Sequence, residues 1–145
     1  MRTIRVAVAG LGVVGTETVR LLQARRERLS RRLGAGLELV AVCDFKAAAK
    51  ARALRLPANI LRLTDPDRIL KLPDIDIVVE LLGGLDAPKR LVLGALRSGR
   101  HVVTANKRLL ARCWDDIRRA QAAGAGRIHF EASVAGGIPI LKAIR

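Results

Sequence analysis

Three glycines near the start of the chain have the spacing of a phosphate-binding loop. Gly10, Gly12 and Gly15 follow an apolar run over residues 4–9 and precede a segment with helical spacing. At the end of a parallel strand, the first glycine allows a tight turn, the second leaves room for a pyrophosphate, and the third lets the helix pack closely. The positive end of the helix then faces the anion. We therefore predict that a dinucleotide binds to Gly10, Leu11, Gly12, Val13, Val14 and Gly15.

A second candidate contact is Asp44, which follows the apolar segment of residues 37–43. In dinucleotide-binding domains, an acid at the end of the second strand accepts hydrogen bonds from the adenosine ribose. The alternative interpretation is an acid that caps a turn. Asp44 favours NAD, whereas Lys46 and Lys50, one helical turn apart, could accommodate the additional phosphate of NADP. The sequence therefore leaves the choice between NADP and NAD open.

Strands and helices alternate along the rest of the chain. Strands are predicted at residues 4–9, 37–43, 60–63, 75–82, 101–104 and 128–132, and helices at residues 16–33, 46–54, 66–72, 88–97 and 114–123. Near-continuous apolar strands suit a sheet that is covered on both faces, and strand–helix alternation makes that sheet parallel. The predicted fold is therefore α/β, a doubly wound parallel sheet of the Rossmann type, which forms one dinucleotide-binding domain over residues 1–145.

Gly83 and Gly84 follow the fourth predicted strand. In a doubly wound sheet the first and fourth strands are neighbours, so the loop after the fourth strand must face the glycine loop after the first. We predict that these two glycines let the cofactor lie against the backbone. A plain tight turn is the alternative.

Composition limits the classes of partner. No apolar run approaches the ~20 residues of a membrane span, so we expect a soluble, cytoplasmic protein with no membrane partner. The net charge of +14 is typical of proteins that bind nucleic acid, but only 2% of the residues are aromatic, and the basic residues are scattered. A solvated arginine-rich surface explains this charge better, so we predict no nucleic-acid partner. Cys43 and Cys113 suggest neither a disulfide framework nor a zinc site.

Four motifs in order along the chain closely resemble the amino-terminal half of homoserine dehydrogenase. They are GLGVVG at residues 10–15, ELLGG at 80–84, HVVTANK at 101–107 and FEASVAGGIPI at 130–140. The resemblance covers essentially the whole chain. It implies NAD(P)H-dependent reduction of aspartate 4-semialdehyde to homoserine, on the route to threonine, methionine and isoleucine.

The resemblance also implies roles for individual residues. Lys107 matches a lysine that contacts cofactor near the substrate, where an ammonium can stabilise negative charge on the aldehyde oxygen, and Thr104 matches a cofactor contact. The alternative for Lys107 is a solvated lysine at a helix start. Backbone carbonyls at Glu131, Val134, Gly136 and Ile138 match those that hold a monovalent cation, sodium, in relatives. Oxygen ligands suit a hard cation, and a purely structural bend is the alternative.

Members of the resembled family continue into a second domain, which supplies dimer contacts, most substrate contacts and the residues assigned to proton transfer. We expect that carboxy-terminal catalytic domain to be missing from this chain. On that expectation, the chain binds NAD(P)H without turnover of its small-molecule substrate, and a homodimer forms only with the second domain. Two other classes stay open: another NAD(P)-dependent oxidoreductase with the same first domain, and a non-catalytic nucleotide-sensing module.

Overall fold

Strands and helices alternate in the computed structural model, which describes residues 2–135, 138 and 140–144. The strands are β1 (Thr3–Ala9), β2 (Gly36–Cys43), β3 (Leu61–Leu63), β4 (Ile77–Glu80), β5 (His101–Thr104) and β6 (Ile128–His129). The helices are α1 (Val13–Ala24), α2 (Arg26–Leu33), α3 (Ala47–Ala53), α4 (Asp86–Arg97), α5 (Lys107–Ala123) and α6 (Ile140–Ala143), with 3-10 turns at Pro66–Lys71 and Glu131–Ser133. None of the helices among the described residues has the length and apolar character needed to cross a membrane.

The strands form one sheet in the order β3-β2-β1-β4-β5-β6, and every neighbouring pair is parallel. The chain builds one half of the sheet outward from β1, returns to β4 beside β1, and then builds the other half. At such a reversal the two connections leave toward opposite faces, which opens a crevice at the carboxyl ends of β1 and β4. The predicted doubly wound fold is confirmed.

Each face of the sheet has its own apolar core, because successive residues of a strand point to opposite faces. Val6 and Val8 of β1 belong to the cluster that includes Val19 of α1. Ala7 and Ala9 belong to the other cluster, which includes Leu91 of α4 and residues of α5. Both faces of β1 are thus covered, as the apolar strands predict, and the carboxyl end of β1 is held between two packed layers.

Close backbone packing at the end of β1 depends on two glycines. Gly10 has a φ of +94°, and a Cβ there would lie 2.3 Å from the carbonyl oxygen of Leu81. A Cβ on Gly15 would lie 1.8 Å from the carbonyl oxygen of Gly10. Any larger residue would therefore push α1 away from β1, or β1 away from β4.

The prediction of one continuous helix over residues 16–33 is wrong. It consists of α1 and α2, which meet at Arg25, where φ is −112° and ψ is 13°. Arg26 Nε donates to the Leu37 carbonyl at 3.0 Å, and the Leu37 amide donates to Ser30 Oγ at 3.1 Å. These bonds connect α2 to the start of β2. The spacing of apolar residues cannot predict them.

Two other predicted boundaries are displaced by side-chain hydrogen bonds. β4 ends at Glu80 instead of residue 82, because Leu82 N donates to Glu80 Oε1 at 2.8 Å. α5 begins at Lys107, well before the predicted residue 114, because Asn106 Oδ1 accepts from Leu109 N at 3.0 Å and caps the helix. The helix then bends at Cys113. The predicted helix at 66–72 is a 3-10 turn, and β6 is shorter than its predicted range.

Replacing Gly15 with alanine is expected to lower the free energy of unfolding by about 1–3 kcal/mol, the usual cost of an overpacked site. The new Cβ would overlap the Gly10 carbonyl. Gly12→Ala is the matched control, since no atom lies within 4 Å of its Cβ position, and its cost should stay below about 1 kcal/mol. Urea unfolding followed by circular dichroism measures both. Equal losses would contradict this account of Gly15.

Candidate functional site

The candidate site is a crevice along the carboxyl ends of the central strands. A cavity of about 510 Å³ extends from the end of β2 to the loop after β4. A second cavity of about 390 Å³ extends from that loop to the start of α5. Leu81, Leu82 and Gly83 line both. The first is also lined by Gly10, Gly12, Cys43, Asp44, Phe45, Lys50, Thr64, Asp65, Pro66, Ala87 and Arg90, and the second by Val14, Gly84, Ala105, Asn106, Lys107 and Arg108.

Gly12 has no structural need to be glycine. Its φ is −74°, which any residue adopts, and nothing lies within 4 Å of the position of a Cβ. Gly12 is also the N-cap of α1, and no acidic side chain lies in the described first turn of that helix. The positive helix end therefore faces an open backbone cradle, which a side chain at Gly12 would fill. This arrangement fits a phosphate group.

Asp44 is held in one orientation by three donors. Its Oδ2 accepts from Leu11 N at 3.0 Å and from Lys50 Nζ at 2.8 Å, and its Oδ1 accepts from Lys46 N at 2.9 Å. Burial alone would raise the pKa of Asp44, but these hydrogen bonds together hold the pKa below its ordinary value. The carboxylate is therefore charged at neutral pH, and Oδ1 keeps a position for one further donor.

The residues on either side of Asp44 differ sharply in exposure. Phe45 is 93% exposed and borders the larger cavity. Cys43 is buried, and burial, with a smaller contribution from Asp65 and Asp44, raises the pKa of its thiol to about 11. Cys43 is therefore a neutral packing residue at the floor of the cavity. Phe45 instead exposes its aromatic ring at the cavity beside Asp44.

Glu80 lies beneath the site, bonded to residues of the crevice, and is not among the site residues predicted from the sequence. It is fully buried at the end of β4, and its Oε2 accepts from Thr104 Oγ1 at 2.6 Å. Burial raises its pKa, an effect that hydrogen bonds from Thr104, Leu82 and Asn106 oppose. The signal in the sequence is the single acid in the apolar run of β4, Ile77–Glu80.

The structure brings most of the predicted cofactor residues to one crevice. The glycine loop lies at its centre, Asp44 at the end formed by β2, and Lys107 at the other end, exposed and beside Gly84. Thr104 is different, because it is fully buried and its hydroxyl is bonded to Glu80. Its side chain therefore lies beneath the wall of the crevice and does not face it.

The predicted cation ligands lie in the segment after β6. Glu131 starts a 3-10 turn, and its Oε1 accepts from Leu141 N at 3.0 Å. Val134 follows that turn in an extended conformation, and Gly136 lies outside the described residues. Within the described part of the chain, no cluster of three or more His, Cys, Asp or Glu residues is placed to hold a metal ion. The sodium site at Glu131, Val134, Gly136 and Ile138 stays a prediction.

Known proteins match this chain along its length. The family model for the NAD binding domain of homoserine dehydrogenase matches residues 10–131. Homoserine dehydrogenase of Neisseria gonorrhoeae is 40% identical over 145 residues, and that of Bacillus subtilis is 38% identical over 144. These alignments cover 100% and 99% of this chain but 33% of each relative. The chain therefore spans about a third of the length of these relatives.

Solved structures share the fold. A homoserine dehydrogenase from Thiobacillus denitrificans matches with a TM-score of 0.87 and 42% identity, over 99% of this chain and 33% of that one. The enzyme from S. aureus at pH 7.5 matches with a TM-score of 0.79 and 31% identity, over 95% of this chain and 34% of that one. The sheet, the glycine loop and the crevice belong to this shared part.

The lowered pKa of Asp44 predicts a pH-dependent contribution to stability. A carboxylate with a lower pKa in the folded chain stabilises it fully above the unfolded pKa of about 3.9, and this contribution is lost as the pH falls through the folded pKa. Asp44→Asn should therefore be less stable than the wild type at neutral pH, and the difference should narrow in acid. Urea unfolding at neutral pH and at about pH 3 measures it. A difference independent of pH would contradict the prediction.

Proposed function

The chain belongs to the homoserine dehydrogenase family through the NAD binding domain of that enzyme, and from this premise we propose that it binds NAD(H) for the reduction of aspartate 4-semialdehyde to homoserine. Gly12 is the observation that carries the proposal: an open backbone cradle at a helix N-terminus, in the middle of the crevice. The substrate, and its place in threonine, methionine and isoleucine synthesis, come from the relatives and the resemblance.

We assign one part of the dinucleotide to each region of the crevice. The pyrophosphate would lie over Gly12 and the first turn of α1. The adenosine ribose would lie at Asp44, whose Oδ1 has a free acceptor position, with Phe45 beside it. The nicotinamide half would extend past Gly83 and Gly84 toward Lys107, since these residues line the second cavity.

We favour NAD over NADP for this chain. Asp44 carries a negative charge where an adenosine 2′-phosphate would lie, and its fixed orientation prevents it from turning away. Of the two lysines that could meet such a phosphate, Lys50 is already in an ion pair with that carboxylate at 2.8 Å, which leaves the exposed Lys46 as the remaining positive charge. An acid at this position accepts the ribose 2′-hydroxyl of NAD and repels the phosphate of NADP.

Lys107 is assigned the electrostatic role in the reaction. When bound, NADH supplies a hydride to the aldehyde carbon. The exposed ammonium of Lys107, on the first residue of α5, would stabilise the negative charge that grows on the aldehyde oxygen. Dimer contacts, most substrate contacts and proton-transfer residues are assigned to the part of the relatives beyond the matched third.

Gly12→Val tests cofactor binding. The chain should enhance NADH fluorescence with a saturable titration, and the variant should lose at least about tenfold in affinity because its side chain fills the phosphate cradle. Ala48→Val, on an exposed position of α3, is the matched control and should bind as the wild type does. Unchanged NADH affinity in Gly12→Val, with a native circular dichroism spectrum, would contradict the assignment of this loop.

Asp44→Gly tests the choice of cofactor. Removing the carboxylate should weaken the binding of NADH and strengthen the binding of NADPH. The ratio of the two affinities should change by about tenfold, or ~1.4 kcal/mol. Any loosening of the glycine loop from the lost Leu11 hydrogen bond acts on both cofactors and cancels in the ratio. The shift should shrink at high salt. The control is Asp74→Asn, which removes the charge of an exposed acid outside the crevice. An unchanged ratio of NADH to NADPH affinity in Asp44→Gly would exclude Asp44 as the residue that selects the cofactor.

Lys107→Ala tests the role of the ammonium in a chimera that joins this chain to the remaining two thirds of a homoserine dehydrogenase relative. Once the unsubstituted chimera turns over, the variant should lose about 10²-fold in kcat/KM, typical of a lost charge-stabilising group. Arg108→Ala, the neighbouring cation at the same cavity, controls for a general loss of positive charge. Equal kcat/KM values in the unsubstituted chimera and the Lys107→Ala variant would mean that Lys107 is a solvated lysine with no part in the reaction.

A further inference from the structure

Buried polar side chains are concentrated at one place in this fold. Across the described residues, the buried polar or charged residues are Glu80, Thr104 and Ser133, and they are bonded in series. Ser133 Oγ donates to the Thr104 carbonyl at 2.9 Å, and Thr104 Oγ1 donates to Glu80 Oε2 at 2.6 Å. A buried polar network is often no more stabilising than apolar packing of the same volume. Its presence therefore points to a role in fixing geometry.

The partners of Glu80 are all donors. Leu82 N donates to Oε1, and Thr104 Oγ1 donates to Oε2. Thr104 Oγ1 also accepts from Asn106 N at 3.1 Å. The Asn106 side chain also interacts with Glu80, while its Nδ2 donates to the Gly84 carbonyl at 3.2 Å. This pattern requires acceptors on both carboxyl oxygens, which an amide at residue 80 would not supply.

The hydrogen bonds of Glu80 lead to the two walls of the smaller cavity. Leu82 opens the loop that continues through Gly83 and Gly84, which forms one wall. Asn106 caps α5 and directly precedes Lys107, which forms the other. The carboxyl group thus connects the loop after β4 with the turn after β5. The Asp44 end of the crevice has a separate set of hydrogen bonds, to Leu11, Lys46 and Lys50.

We propose that Glu80, acting through Thr104 and Asn106, is a positioning residue that sets the distance between these two walls and thereby holds the nicotinamide half of the cofactor. This inference rests on the proposed function, since it assigns the smaller cavity to that half. Glu80 does not touch the cofactor in this account. Its removal should therefore affect the nicotinamide half of the ligand and leave the adenosine half as it is.

A comparison of two ligands tests the proposal in the chain itself. NADH carries both halves, whereas ADP-ribose lacks the nicotinamide. Glu80→Gln and Thr104→Val should each lower the affinity for NADH by about tenfold, because each loses a buried hydrogen bond to a charged group. The affinity for ADP-ribose should change by less than about twofold. Thr104→Ser keeps the hydroxyl and, unlike Thr104→Val, should bind NADH with the affinity of the wild type. Asp44→Asn, at the other end, should weaken both ligands. Calorimetric titration measures all four variants.

The outcomes separate this inference from its premise. If Glu80→Gln fails to fold, Thr104→Val and its Thr104→Ser rescue decide the result. Equal weakening of both ligands by Thr104→Val would mean that the network supports the fold in general, and the proposal would be overturned. Unchanged NADH affinity in Thr104→Val would overturn it as well. If the wild-type chain bound neither ligand, the proposed function itself would fail, and this inference with it.

Discussion

The close approach of three backbone segments at the switch point is the constraint on which the site depends. A Cβ on Gly10 would lie 2.3 Å from the carbonyl of Leu81, and one on Gly15 would lie 1.8 Å from the carbonyl of Gly10. β1, β4 and α1 can therefore meet only where these side chains are absent. Their meeting places the N-terminus of α1 over the crevice and leaves Gly12 facing open space, where a phosphate would lie.

Two carboxyl groups lie at the carboxyl edge of the sheet, Asp44 directly after β2 and Glu80 at the end of β4, and their environments set their pKa values apart. Asp44 is near the surface, and donors from Lys50, Lys46 and Leu11 outweigh its partial burial and lower its pKa. Glu80 is fully buried, and desolvation outweighs its hydrogen bonds and raises its pKa. The first group suits direct contact with a ribose hydroxyl. The second suits the support of the loops after β4 and β5, which would contact the nicotinamide half in the proposed function.

The sequence predicts the parallel sheet and the crevice because both follow from local signals. Apolar strands, the glycine spacing and the acid at the end of the second strand place Gly12, Asp44 and Gly83 at one edge of the sheet, as observed. The break at Arg25 and the roles of Glu80 and Asn106 were not predicted. The role of Glu80 depends on a side-chain hydrogen bond to Thr104 on another strand, and contacts between residues distant in sequence leave no periodic pattern. The cap at Asn106 is a local bond to Leu109, but hydrophobic spacing does not report it either.

A crystal structure of this chain with NADH tests the central claim most directly, because it shows both ends of the ligand at once. We expect the pyrophosphate over the Cα of Gly12, an adenosine ribose hydroxyl on Asp44 Oδ1, and the nicotinamide between Gly84 and Lys107, above Glu80. A dinucleotide bound elsewhere on the sheet, or one with its halves reversed along the crevice, would contradict this claim.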